Sequence, residues 1–101
     1  MNNFEGRHAL VTGGGTGIGA AIALALAQSG ARVSIAGRRV QPLDEVAARH
    51  QGIHAFSGDV SDEPSVRALY ESVTAEGGAI DIVIANAGAA GSAPFKRMNV
   101  E

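Results

Sequence analysis

The segment Val11–Ala21, VTGGGTGIGAA, places five glycines within seven positions and then passes directly into an alanine-rich stretch. It follows HALVT, His8–Thr12, a short apolar run that stops at glycine as a buried strand does. Beyond it Ile18, Ile22 and Leu26 recur at i, i+4 and i+8 up to Gly30, which predicts a helix with that stripe as its apolar face. A strand, a glycine turn and a helix in immediate succession bring backbone N–H groups and the positive helix end to one point, and the ligand suited to it is phosphate. The Walker A pattern requires a lysine after the last glycine, whereas the single lysine here is Lys96.

The rest of the chain repeats the strand–helix alternation. RVSIAG, Arg32–Gly37, is a second strand by its β-branched content, followed by a helix over Val40–His50 with Pro42 in the tolerated first turn and Leu43, Val46, Ala47 and His50 on one face. A third strand over Ile53–Ser57 leads to a helix with an acidic start, an early proline, apolar Val66, Leu69, Tyr70 and Val73, and a Gly77–Gly78 stop. The fourth strand, Ile80–Gly88, shows no alternation and is expected to be interior, while residues 89–101 form a loop. This pattern predicts an α/β doubly wound parallel sheet, a Rossmann fold, with strand order 3-2-1-4. In the usual order 3-2-1-4-5-6 the fourth strand also borders a fifth, which these residues do not supply.

Composition narrows the function. With 101 residues, 46% hydrophobic and 18% charged, the chain is expected to form one domain, and a net charge of −2 with 4% aromatic residues argues against a nucleic-acid partner. Cysteine is absent, no secretory signal opens the chain, and no apolar run approaches the roughly 18 residues of a membrane span, so the expectation is a cytoplasmic protein with no membrane partner. His8, His50 and His54 have no metal-binding spacing, which leaves them as satisfied or surface histidines.

The general G-x-G-x-x-G/A fingerprint can be laid on Gly15, Gly17 and Ala20, but the turn after Thr12 is longer than that register requires. The pattern T-G-x-x-x-G-I-G fits better, as Thr12, Gly13, Gly17, Ile18 and Gly19, and in this register the chain resembles the short-chain dehydrogenase/reductase family along essentially its whole length. The resemblance implies that Gly13 makes the turn, Gly17 admits a pyrophosphate and Gly19 lets the helix lie close to the sheet, with Gly15, Thr16 and Ile18 completing the cofactor loop. It also assigns Asp59 and Val60 of GDV to the adenine, although Asp59 could equally cap the following helix. ANAG, Ala85–Gly88, matches the family's N-N-A-G with its first asparagine replaced by alanine. By the resemblance Asn86 braces the sheet near Thr12, and the backbone through Ala87 and Gly88 runs beside the cofactor ribose.

An acid about 20 residues past the glycines would accept from the ribose 2′-OH of NAD, whereas arginine accommodates the 2′-phosphate of NADP. Gly37-Arg38-Arg39 occupies that place, and two cations at a helix start oppose its dipole unless an anion relieves them. NADP is therefore expected over NAD, through Arg38 with Arg39 in support. Thr16, however, stands where many NADP-preferring relatives carry a basic residue, and a pair of solvated loop charges is the alternative.

The family's acid–base set, a tyrosine with a lysine four residues later assisted by serine and asparagine, is not identifiable: the single tyrosine, Tyr70, precedes Thr74 at that spacing and is expected in the core, and Asn99 does not match the family asparagine. The expectation is thus an N-terminal NAD(P)-binding portion, residues 1–101, of an NADP-dependent oxidoreductase that interconverts an alcohol and a carbonyl. Complete, that protein is expected to take a small carbonyl or alcohol substrate and form a homo-oligomer. These residues alone are expected to bind the dinucleotide without catalytic residues or turnover. The alternative is a non-catalytic dinucleotide-binding or sensing module; a methyltransferase-type fold suits the paired arginines less well.

Overall fold

The computed structural model describes residues 4–13, 15 and 17–86. Strands β1 (His8–Thr12), β2 (Arg32–Gly37), β3 (Ile53–Ser57) and β4 (Ile82–Ala85) alternate with helices α1 (Gly17–Gln28), α2 (Val40–Ala47) and α3 (Glu63–Gly77). All pairings are parallel and the order is β3-β2-β1-β4, as expected. The register sets Leu10 beside Ser34 on one side and Val83 on the other, so β1 is buried on both faces and along both edges.

Side chains alternate across the sheet and divide the core. Val11, Val33, Ile35 and Ile53 face α1 and α2, with Leu43 and Val46 from α2 closing that layer. Leu10 and Ala36 point the other way, to Leu69 and Val73 of α3.

The face that α1 buries is not the predicted stripe. Gly19, Ala20, Ala23 and Ala27 lie against the sheet, Ile22 and Leu26 are half-buried on the flank, and Ile18 is 70% exposed. The cause is the approach distance: a Cβ at position 19 would overlap the carbonyl oxygen of Gly13, and only small side chains let the helix come this close.

The other departures have local causes. Helix α2 ends at Ala47 rather than His50, because His50 leaves the helix and its Nδ1 accepts the Gly52 N–H at 2.9 Å. Tyr70 is half-buried on the flank of α3, where Leu69 and Val73 take the core. Strand β4 is shorter than Ile80–Gly88: Asp81 precedes it, donating its N–H to the His8 carbonyl at 2.8 Å, and Asn86 follows it. Among the described residues β4 lies at the edge of the sheet, with Ile82, Val83 and Ile84 half-buried and no strand paired on the side away from β1. The predicted loop 89–101 lies outside the described residues.

Candidate dinucleotide site

The carboxyl ends of the four strands converge beside the glycine turn. Gly13 leaves β1 with φ +71°, a conformation that disfavours any residue with a Cβ, and its N–H donates to the Ala36 carbonyl at 2.8 Å. A Cβ there would overlap the Asn86 carbonyl oxygen. The Asn86 side chain donates through Nδ2 to the Gly13 carbonyl at 3.4 Å and would lie 2.8 Å from a Cβ on Gly19. Gly13, Gly19 and Asn86 thus form one packed junction joining β1, α1 and the end of β4. Asn86 and Thr12 line the same cleft, but Asn86 bonds the turn backbone, whereas Thr12 Oγ1 donates across to the Ile84 carbonyl at 3.5 Å.

Gly17 differs from these two. A Cβ on it would meet nothing within 4 Å, so the described protein does not require glycine there. It opens α1, which carries no acidic residue in its first turn, so no side-chain carboxylate from that turn answers the positive helix end.

Two adjoining clefts spread from the turn. One, of about 250 Å³, is bounded by Thr12, Gly13 and Asn86 on one side and by Arg38, Asp59, Val60 and Ser61 on the other. The second, of about 330 Å³, lies between Gly13, Gly15, Arg38, Arg39, Pro42 and Leu43. Gly13, Gly37 and Arg38 belong to both. The structure therefore brings together Gly13, Gly15, Arg38, Arg39, Asp59, Val60 and Asn86, while Gly17, Ile18 and Gly19 continue from the turn into α1. Thr16, Ala87 and Gly88 lie outside the described residues.

The electrostatics of the crevice are mixed. Arg38 and Arg39 are exposed and form no ion pair among the described residues, where the one such pair is Arg67–Glu63 on α3. Arg39 is the N-cap of α2 but offers no side-chain hydrogen bond to it, and the first turn of α2 holds no acid. Opposite them, Asp59 Oδ1 accepts from the Ser61 hydroxyl at 2.7 Å and from the Ser61 N–H at 2.9 Å. These bonds, with the charge of Arg38 beyond them, hold the Asp59 carboxyl below its ordinary value.

Asp59 does not cap α3. Asp62 does, accepting from the Ser65 N–H at 3.2 Å and the Ser65 hydroxyl at 2.6 Å. Sequence reading missed both Ser61 and Asp62, although Asp-x-Ser and Asp-x-x-Ser spacings carry the signal for a local turn and a cap. Among the described residues no cluster of three His, Asp or Glu side chains could hold a metal ion, and no helix is long and apolar enough to cross a membrane.

Comparison with known proteins agrees with this architecture. The short chain dehydrogenase family model matches residues 7–101. The short-chain dehydrogenase/reductase PhomF of Diaporthe leptostromiformis is 43% identical over 97 residues, covering 93% of this chain and 33% of the relative. The RhlG/NADP active-site complex of Pseudomonas aeruginosa superposes with a TM-score of 0.80 at 36% identity, covering 87% of this chain and 37% of that one. A 3-ketoacyl-(acyl-carrier-protein) reductase from Brucella melitensis, complexed with NADH, gives 0.77 at 34% identity, over 80% of this chain and 34% of that one. The chain spans about a third of the length of such relatives. With its glycine turn, parallel 3-2-1-4 sheet and a family match over nearly every residue, this chain belongs to the short-chain dehydrogenase/reductase family.

Proposed function

We propose that residues 1–101 are the dinucleotide-binding portion of an NADP-dependent oxidoreductase that interconverts an alcohol and a carbonyl. The observation that carries the reading is the crevice beside Gly13, bounded by an α1 start without acidic residues and by two arginines that form no ion pair among the described residues. The fit to a dinucleotide is specific. Gly17 is bare where the described residues leave room for a side chain, which is the expected result if a pyrophosphate occupies that room. The uncapped start of α2 beside Arg38 and Arg39 suits a 2′-phosphate.

In this reading Gly13, Gly15, Thr16, Gly17 and Gly19 shape the pyrophosphate loop, and exposed Ile18 offers an apolar surface to the cofactor. Arg38 and Arg39 hold the 2′-phosphate, Asp59 and Val60 border the adenine, and Asn86, Ala87 and Gly88 run along the ribose. The bound nicotinamide would supply or accept hydride. The described residues bind and orient; Tyr70 is not among the residues that line either cleft of the crevice. The RhlG and Brucella melitensis complexes hold NADP and NADH respectively, so the two cofactors both occur among relatives, and Arg38 and Arg39 favour NADP here. In keeping with the family we take the complete protein to be a cytoplasmic homo-oligomer acting on a small alcohol or carbonyl.

The test is Arg38→Glu, with NADPH and NADH affinities measured by titration calorimetry on the full chain. NADPH affinity should fall on the order of tenfold to a hundredfold while NADH affinity changes little. An equal fall for both removes Arg38 from the 2′-phosphate site.

A further inference from the structure

We infer that Ser61 is a positioning residue for recognition of the purine: it grips one carboxylate oxygen of Asp59 with its hydroxyl and its N–H, and so presents the other to the exocyclic amino group of adenine. The inference rests on the dinucleotide reading above and adds to it a residue outside the motifs that suggested it.

Both Ser61 bonds, at 2.7 and 2.9 Å, end on the same atom, Oδ1 of Asp59. Among the described residues Oδ2 has no hydrogen-bond donor, and Asp59, Val60 and Ser61 together form one wall of the 250 Å³ cleft. A carboxylate carrying two donors on one oxygen is fixed in rotation, and the opposite oxygen then points in one direction as an acceptor. The same bonds favour the ionised form of Asp59, which can accept but not donate. That chemistry distinguishes an amino group from a carbonyl oxygen at the same ring position.

The competing explanation is that the Asp59–Ser61 turn starts the following helix. Asp62 and Ser65 already perform that task with their own pair of bonds, so the turn is not needed for it. Arg38, across the cleft, adds a positive charge on the far side of the same space without forming an ion pair with Asp59. Asp59 therefore remains open to a ligand rather than being consumed by the protein.

The experiment compares NADPH with its reduced hypoxanthine analogue, in which a carbonyl oxygen replaces the adenine amino group. Affinities are measured by titration calorimetry on the full chain, on Ser61→Ala and on Ser61→Thr. The unsubstituted protein should prefer NADPH on the order of tenfold. Ser61→Ala should bring that ratio close to one, while Ser61→Thr, which keeps the hydroxyl, should restore it. In Ser61→Ala the Asp59 carboxyl, followed by NMR titration, should rise toward its ordinary value of 3.8. An unchanged ratio in Ser61→Ala, or an equal loss of both ligands, overturns the role of Ser61 while leaving dinucleotide binding intact. Failure of the unsubstituted protein to bind either ligand overturns the dinucleotide reading and this inference with it.

Discussion

Ser34 Oγ lies 2.8 Å from Nε2 of His8, and the pair is buried at the amino end of the sheet, the end of β1 opposite Gly13. The other ring nitrogen, Nδ1, lies 3.0 Å from the Gly78 carbonyl, which can only accept. In the neutral ring the hydrogen therefore sits on Nδ1, and Nε2 accepts from the serine hydroxyl. One imidazole thus ties β1 to β2 and to the turn that follows α3. The backbone of His8 adds bonds to Asp81, donating to its carboxylate at 2.9 Å and accepting from its N–H at 2.8 Å.

Ser34→Ala would leave Nε2 of His8 buried without its partner. A loss of about 1–3 kcal/mol in unfolding free energy is expected from chemical denaturation, with dinucleotide affinity unchanged because the pair is remote from the crevice. A variant as stable as the parent would show that the bond contributes nothing net.

The glycines of the turn should separate into two classes. Gly19→Ala forces a Cβ onto the Gly13 carbonyl and should cost about 1–3 kcal/mol, read by thermal unfolding without ligand. Gly17→Ala meets nothing among the described residues and should leave stability unchanged or raised by up to about 1 kcal/mol, yet weaken NADPH binding in calorimetry. Equal stability losses for the two would contradict the open space at Gly17.

Asp62 carries the start of α3. Asp62→Ala should lower stability by about 1 kcal/mol, and Asp62→Ser should recover most of it, as measured by urea denaturation. Asp59→Ala should leave this helix intact by comparison, because its carboxylate bonds Ser61 rather than the helix start.

His54 supplies a pH dependence. Partial burial, then the neighbouring charge of Arg32, lowers its pKa from 6.5 against the opposing effect of Glu76. The folded state therefore binds fewer protons than the unfolded chain, and stability rises with pH across this window. The contribution is complete above pH 6.5 and is lost as pH falls through the folded value. Urea midpoints recorded between pH 8 and pH 5 (about three units spanning the unperturbed histidine value) should show the decline, and His54→Gln should flatten it. An undiminished slope in that variant would assign the effect elsewhere.

Much of this architecture is legible in the sequence because its causes are local. HALVT before glycine, the β-branched RVSIAG and the Gly77–Gly78 stop of α3 each follow from backbone preference and short-range period, and their alternation dictates parallel crossovers and the 3-2-1-4 order. The turn at Gly13 and the arginines at 38 and 39 are equally visible, since spacing from a strand end places them together at the carboxyl end of the sheet. The tertiary structure decided what depends on distance between segments. Period pointed to Ile18, Ile22 and Leu26 as the inner face of α1, but the closeness of helix and sheet admits the alanine and glycine face instead, because side-chain volume limits how near two backbones can come. The bond from Asn86 to Gly13 spans 73 positions, and no local pattern specifies that the amide should reach the turn carbonyl rather than Thr12. Periodicity reports which way a side chain leaves its own backbone; only the packed chain sets what it meets there.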